Sequence, residues 1–407
     1  MPPGSAFLYV LCQAGAEAAL KGLVADARPE LRPAFQRPGL VTFKAPAPTL
    51  GADARVDVVL ARASGAAIGP LRSIAELGPA VDRFCPEGQA VRLHVIERDR
   101  WRPGDEPEGF AYGPAAAAVY AAIVAGWSSA RPLLDGPAAP VDDARSTGLA
   151  GTGLAGTGLA GTGLAGTGLA GTGAGADASI GEWVLDVIVG DEGEPLFVGF
   201  HAHEPGRSPH PGGRIPVPLE PEAPSRAYYK LEEAIRWSAA PLRPGDVVCE
   251  LGSSPGGASL ALLQRGLLVH GVDPGAMDPR VLAWRGPRGA HFVHHAAPMG
   301  QVAREALPHD LHWIVTDVNL APQVALESVR RLAARPRPAL CGVLCTLKLD
   351  TWKGLRHLPT LLKRIAAMGM LEVRATQLPS NRLEVFACGL TAQGLARQAP
   401  PRLPRSG

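Results

Sequence analysis

Polar residues with reactive chemistry stand at the ends of apolar runs in this sequence. The run Asp246–Leu251 leads into Glu250-Leu251-Gly252-Ser253-Ser254-Pro255-Gly256-Gly257. A glycine-rich turn between a strand and a helix lets backbone approach a ligand closely. The spacing is G-x-x-P-G-G, not the G-x-G-x-x-G of dinucleotide folds, and the next apolar run ends in Gly271-Val272-Asp273. An acid about 20 residues after such a turn is placed to accept hydrogen bonds from ribose hydroxyls. The two features together fit a nucleoside cofactor without a pyrophosphate, which is S-adenosyl-L-methionine (AdoMet). Three more ionisable residues interrupt apolar runs. Asp317 lies near the end of Trp313–Val318, Lys348 near the end of Cys341–Leu349, and Glu384 between Leu383 and Val385. Lys and Glu are rarely buried unless paired. His201, His203 and His210 raise the question of a metal. No Cys or carboxylate completes a set at the usual spacing, so the Pro-, Gly- and His-rich stretch 202–224 reads as a solvated connecting loop and no metal is expected.

These residues need strands to hold them. From Ser225 onward apolar runs alternate with helical stretches. The runs are Asp246–Leu251, Leu267–Val272, His291–His294, Trp313–Val318, Cys341–Leu349, Leu371–Leu378 and Leu383–Leu390, and Pro322–Ala334 and Leu355–Met368 are among the helices. Seven strands with intervening helices imply a doubly wound α/β sheet. Ligands in such sheets sit at the carboxyl ends of the strands, near the point where strand order reverses.

The first half reads differently. Strands are expected over Ala6–Cys12, Gly39–Phe43 and Ala90–Ile96, and a helix over Gly15–Ala27. Trp183–Val189 and Pro195–Phe200 predict a hairpin across Asp191-Glu192-Gly193. The longest apolar run, Pro114–Trp127, suits a buried helix better than a bilayer span. From Thr147 the pentapeptide Thr-Gly-Leu-Ala-Gly repeats five times, ending at Gly171. Uncharged and nearly half glycine, it has little to bury against the entropy of ordering, and a flexible insert is expected.

Residues 1–224 hold 17 Lys+Arg against 25 Asp+Glu, a net −8, and residues 225–407 hold 23 against 13, a net +10. A basic C-terminal half fits a polyanionic partner. The six cysteines form no C-x-x-C pair and read as buried thiols of a reducing compartment, the cytoplasm.

The order of motifs carries a more specific signal. Ser225-Arg226-Ala227-Tyr228-Tyr229-Lys230-Leu231-Glu232-Glu233, the loop 250–257, Thr316-Asp317-Val318-Asn319-Leu320-Ala321-Pro322, Leu347-Lys348-Leu349 and Arg382-Leu383-Glu384-Val385 together resemble the FtsJ-like RNA 2′-O-ribose methyltransferase family. Within it the form is similar to the branch acting on a cytidine of 23S rRNA. The resemblance covers about 225–390 well and 1–224 faintly. It implies a Rossmann-like AdoMet-dependent methyltransferase domain with a seven-stranded doubly wound sheet, and smaller N-terminal α+β domains with a THUMP-type RNA-binding module. The boundaries expected are 1–50, 51–200 with the insert 147–175, a connecting loop 201–224, the catalytic domain 225–392 and a disordered tail 393–407. It implies a catalytic tetrad of Lys230, Asp317, Lys348 and Glu384, with Lys348 as general base toward a ribose 2′-hydroxyl. Burial and Lys230 are expected to lower the Lys348 pKa, while Asp317 and Glu384 hold it in place and oppose that shift. Ser225, Gly252, Ser254, Pro255, Gly256, Gly257, Asp273 and Asp317 are implied to bind AdoMet. RNA, most specifically 23S rRNA, is the implied partner of a cytoplasmic monomer, with no membrane and no metal.

Some positions depart from the family pattern. Ala258 stands where relatives often carry an aromatic, Glu250 replaces an Asp, and His294-His295-Ala296 stand where an acid would hold the adenine amino group. Two other readings stay open on the sequence. One is a catalytically weak RNA-binding or ribosome-assembly protein, and the other a methyltransferase for a protein or small molecule.

Overall fold

The computed structural model describes residues 3–105, 113–134, 173–218, 220–334 and 337–398. The pentapeptide repeat lies outside the described residues. The chain divides into two compact units, Met1–Leu219 and Glu220–Gly407.

The first unit is built from β1 (Phe7–Leu11), α1 (Glu17–Ala27), β2 (Arg32–Arg37), β3 (Leu40–Lys44), β4 (Ala63–Leu71), α2 (Leu77–Phe84), β5 (Val91–Glu97), α3 (Pro114–Ala125), β6 (Gly173–Ala174), β7 (Trp183–Val189) and β8 (Leu196–Ala202). Its strands form one sheet in the order β2-β3-β1-β4-β8-β7-β5-β6. The expected hairpin is there, with β7 antiparallel to β8. β1 pairs with β3 on one side and β4 on the other. Strands from residues 1–50 and from 51–202 therefore share a single sheet across the boundary expected near residue 50. Strands β2 and β4 and helix α2 have weak sequence signals. β2 is an exposed edge strand, and β4 contains Gly65, Gly69 and Pro70. Helix α3 buries only Ala116 and Ile123, so its uniformly apolar sequence covers one face of the sheet instead of filling a core.

The second unit continues with α4 (Ala227–Ser238), β9 (Val247–Leu251), α5 (Gly257–Gln264), β10 (Leu268–Val272), α6 (Pro279–Leu282), β11 (Phe292–His295), β12 (Trp313–Thr316), α7 (Pro322–Ala333), β13 (Gly342–Lys348), α8 (Leu358–Ala366), β14 (Glu372–Thr376), β15 (Glu384–Leu390) and α9 (Ala392–Gln398). All seven expected strands are present, in the order β11-β10-β9-β12-β13-β15-β14. Only β15 runs antiparallel to its neighbours. The central strands are buried on both faces, as continuous apolar runs in a sheet covered by helices require. Strand order reverses between β9 and β12, so the loops after these two strands diverge and leave a crevice at their carboxyl ends.

The tail differs from expectation. Residues 392–398 form α9, and Arg397 donates to Asp246 at 2.8 Å, which also accepts from the buried Trp313 indole at 3.0 Å. An ion pair to a buried carboxylate holds a segment whose composition alone suggests disorder. No helix among the described residues is long and apolar enough to cross a membrane.

Candidate active site

Four elements deliver four charged side chains to one place. Lys348 is the last residue of β13 and Glu384 the first of β15. The two are directly opposite in the antiparallel register, so their side chains share one face. Asp317 follows β12, the parallel neighbour of β13. Lys230 projects from the first turn of α4, whose apolar face packs on α5. Lys348 Nζ lies 2.5 Å from Glu384 Oε1 and 3.2 Å from Asp317 Oδ1. Lys230 Nζ donates to Glu384 Oε2 at 2.7 Å and to Asp317 Oδ2 at 3.5 Å. The two lysines are thus bridged by two carboxylates in an alternating ring. The side chains keep 17% (Lys230), 18% (Asp317), 22% (Lys348) and 8% (Glu384) of their exposure, so the ring is largely sheltered yet reachable from one side.

The ring's electrostatics depart from the sequence expectation in sign. Burial pushes the Lys348 ammonium toward a lower pKa, but Asp317 and Glu384 outweigh it and hold the group above the ordinary lysine value. Two short carboxylate contacts stabilise the charged form more than partial burial penalises it. Lys348 therefore rests as an ammonium ion.

Further residues support the ring. Asn381 Nδ2 donates to Glu384 Oε2 at 3.3 Å. Its own side-chain oxygen accepts from the Leu378 amide at 3.0 Å, closing the turn before β15. Glu233 accepts from the Ser380 amide at 2.9 Å and from its hydroxyl, tying α4 to the same turn. Glu233 is thereby committed away from Lys230, its neighbour on the helix. Asn381 and Ser380 sit in an irregular turn and have no periodic signal in the sequence.

The glycine-rich loop lies beside the ring. Gly252 has φ +87°, and a Cβ there would collide with Val318 and the Asp317 backbone. Glycine at this position lets the ends of β9 and β12 touch. Gly256 has φ +119°, and Gly257 opens α5 against Ser225, whose hydroxyl leaves no room for a Cβ. Ser254 Oγ donates to Ala276 O at 2.7 Å, and Pro255 is exposed beside it. Asp273 follows β10 and its Oδ1 accepts from the Gly275 amide at 2.7 Å. Among the described residues no hydrogen bond reaches its other oxygen, which suits a ribose hydroxyl. Glu250 is fully buried and accepts from Ser259 Oγ at 2.6 Å. Burial pushes its carboxyl up to about 8, with Asp317 and Asp273 adding to the rise against the Ser259 hydrogen bond. His294 Nε2 is 2.9 Å from the Asp273 carbonyl, and His270 stacks on His295 with ring centroids 5.4 Å apart. The backbone cradle and the half-used carboxylate fit a nucleoside cofactor.

Two of the histidines weighed as metal ligands are not on a solvated loop. His201 lies within β8, next to its last residue, and His203 follows the strand, with exposures of 6% and 5%. Among the described residues no group of three or more His, Cys, Asp or Glu is arranged to hold a metal ion. All six cysteines are buried and free.

Residues 223–330 match the FtsJ-like methyltransferase family model. A curated relative from Alkalilimnicola ehrlichii named ribosomal RNA large subunit methyltransferase M is 33% identical over 187 residues, 44% of this chain and 48% of that protein. A protein of the same name from Chromohalobacter salexigens is 32% identical over 168 residues, 40% of this chain and 44% of the relative. The chain spans about half the length of the curated relatives it matches. Among solved structures, TrmN from Thermus thermophilus aligns with a TM-score of 0.32 at 15% identity, covering 94% of this chain and 99% of that one.

Proposed function

We propose that the C-terminal unit is an AdoMet-dependent methyltransferase acting on a ribose 2′-hydroxyl of RNA, most specifically of large-subunit rRNA. The observation that carries this reading is the closed ring of Lys230, Asp317, Lys348 and Glu384 beside the Gly252–Gly257 loop. The family match and the names of the curated relatives support the reaction and the substrate class. Six buried thiols support a cytoplasmic setting, and a monomer is part of the same reading.

Bound AdoMet supplies an electrophilic methyl group. Gly252, Ser254, Pro255, Gly256 and Gly257 would present backbone to it, Asp273 its free oxygen to the ribose, and Ser225 and Asp317 the flanking walls. The chain must then align the 2′-hydroxyl and remove its proton. Asp317 and Glu384 fix where Lys348 Nζ sits, and Lys230 keeps both carboxylates in place by sharing them. A neutral Lys348 Nζ accepts the hydroxyl proton, so the resting ammonium first loses one proton to solvent. A positioned base contributes roughly 10²–10⁴-fold, and alignment supplies much of the remainder.

The test is transfer of labelled methyl from AdoMet to RNA by the whole protein, with mapping of the modified ribose. Lys348→Ala is expected to abolish transfer while AdoMet affinity stays within a few-fold. Near-normal single-turnover rates in that variant would remove Lys348 as the base, and transfer to a base nitrogen or a protein would overturn the ribose assignment.

A further inference from the structure

Tyr9, His94, Asp186 and His201 stand on β1, β5, β7 and β8 of the N-terminal unit, each more than nine-tenths buried. None belongs to the site described above. The Tyr9 hydroxyl donates to Asp186 Oδ2 at 2.5 Å, and His201 Nδ1 lies 2.7 Å from the same oxygen. Tyr9 reaches across the sheet because a Cβ at Gly65 or Gly199 would collide with its ring. Burial pushes the Asp186 carboxyl up, yet His201, His94 and the Tyr9 hydroxyl together hold it below the usual carboxylate range. An ionised carboxylate only accepts hydrogen bonds, so His201 Nδ1 carries the hydrogen and Nε2 is left for another partner. His94 Nε2 is engaged with the Ala176 carbonyl at 3.0 Å, and burial pushes that ring down to about 4, so it stays neutral.

Asp186, His94 and His201 line a cavity whose other walls include Ser64, Arg207 and Ser208. Two further arginines there are matched by acids: Arg55 pairs with Asp57 at 2.6 Å and Arg62 with Asp99 at 2.9 Å. Arg207 is different. Its guanidinium donates to the carbonyls of Ser64 at 2.7 Å, Ala54 at 2.9 Å and Asp53 at 3.1 Å. No carboxylate among the described residues pairs with it, and its Nε is buried without a partner. Carbonyls solvate a guanidinium without cancelling its charge. The cavity thus combines an uncompensated cation, an imidazole nitrogen backed by a carboxylate, and two hydroxyls. That donor set suits a tetrahedral oxyanion.

We propose that this cavity binds a phosphate group, with Arg207 supplying the fixed charge and His201 Nε2 a hydrogen bond to the anion. The charged and titratable groups around His201 are Tyr9 on β1, His94 on β5, Asp186 on β7, His203 just past β8, and Arg207 and the Asp177–His210 pair in the loops beyond. The phosphate could be a free small-molecule group or part of a nucleic acid, and the site is independent of the methyl-transfer reading.

Sulfate is the first probe, because it is a tetrahedral dianion whose charge does not change around neutral pH. Calorimetry on the whole protein reads affinity and stoichiometry. One-to-one binding is expected. Arg207→Gln and Ser208→Glu are each expected to weaken binding about tenfold or more, the first by removing a charged donor and the second by adding a repelling carboxylate. Ser208→Glu leaves the buried relay and the Arg207 contacts untouched, so it decides the matter if Arg207→Gln fails to fold. No sulfate binding, or unchanged affinity in Ser208→Glu, would each overturn the proposal, as would failure of inorganic phosphate to compete. Displacement of sulfate by a 5′-phosphorylated short RNA alone supports a terminal phosphate as the natural group. Displacement also by the 5′-hydroxyl RNA supports the backbone, and displacement by inorganic phosphate but neither RNA supports a free phosphate.

Discussion

Glu384→Gln separates the two things the acidic partners do to Lys348. In the native ring Lys348 Nζ lies 2.5 Å from Glu384 and 3.2 Å from Asp317, and its pKa is held above the ordinary lysine value despite burial. A lysine titrating near ~10.4 is neutral in only about one molecule per thousand at pH 7.5, and a raised pKa makes that form scarcer still. If the neutral amine takes the hydroxyl proton, activity must rise with pH, about tenfold per unit, until the raised pKa is reached. Glutamine keeps the shape of Glu384 and removes its charge. Losing one adjacent carboxylate lowers an amine pKa by roughly 1–3 units, or about 1.4–4 kcal/mol. The 22% exposure of Lys348 places the effect toward the lower end. The neutral fraction at neutral pH should then rise about tenfold, while weaker positioning lowers the limiting rate at high pH. Single-turnover methyl transfer, followed from about pH 6.5 to about pH 9.5 with AdoMet and RNA saturating, reads the slope and whether it begins to level. The expected result is a unit-slope rise throughout in the native protein and a rise that begins to level near the top of this range in Glu384→Gln. A flat native profile would refute the neutral-lysine step, and an unshifted profile in the variant would refute the assignment of the raised pKa to Glu384.

Two other perturbations probe the cofactor side. Asp273→Ala should weaken AdoMet binding by roughly 1–3 kcal/mol, the cost of losing a polar partner, measured by calorimetry; unchanged affinity would mean that the unpaired Asp273 oxygen does not meet the ribose. Glu250 has a folded pKa of about 8 against about 4.3 in an unfolded chain, so its contribution to stability is full below the unfolded value and is lost as pH rises through the folded one. Glu250→Gln cannot ionise and should show a melting temperature that exceeds the native protein's by a margin growing between about pH 5 and about pH 8 and constant above; equal pH dependence in the two proteins would show that Glu250 ionises freely in the fold.

Much of the C-terminal unit was legible in the residues because its strands are continuous apolar runs between helices. A strand buried on both faces has no other stable composition, so β9, β12, β13 and β15 stand out one by one, and Asp317, Lys348 and Glu384 are conspicuous as charges at their ends, as is Asp273 after β10. The glycine positions were legible for the same kind of reason: Gly252 and Gly256 adopt positive φ that other residues resist. The N-terminal unit was less so. β4 carries glycines and a proline and β2 lies exposed on the edge, so neither has the alternation that marks a half-buried strand. Residues 392–398 look like a polar tail until Arg397 finds Asp246, a partner 151 residues away.

Relations between charges were decided by tertiary structure alone. The sequence names Lys348 but not the sign of its pKa shift, which depends on two carboxylates brought in by β12 and β15 outweighing the burial of one amine. It likewise shows His201 in a run of histidines and prolines, where a solvated loop is the reasonable expectation. Only the pairing of β8 with β7 sets that ring against Asp186, and only the crossing of Tyr9 over two glycines completes the cluster. Local composition determines which segments form strands and where backbone must turn. Which charges meet is a matter of register between segments far apart in the chain, and no local pattern encodes it.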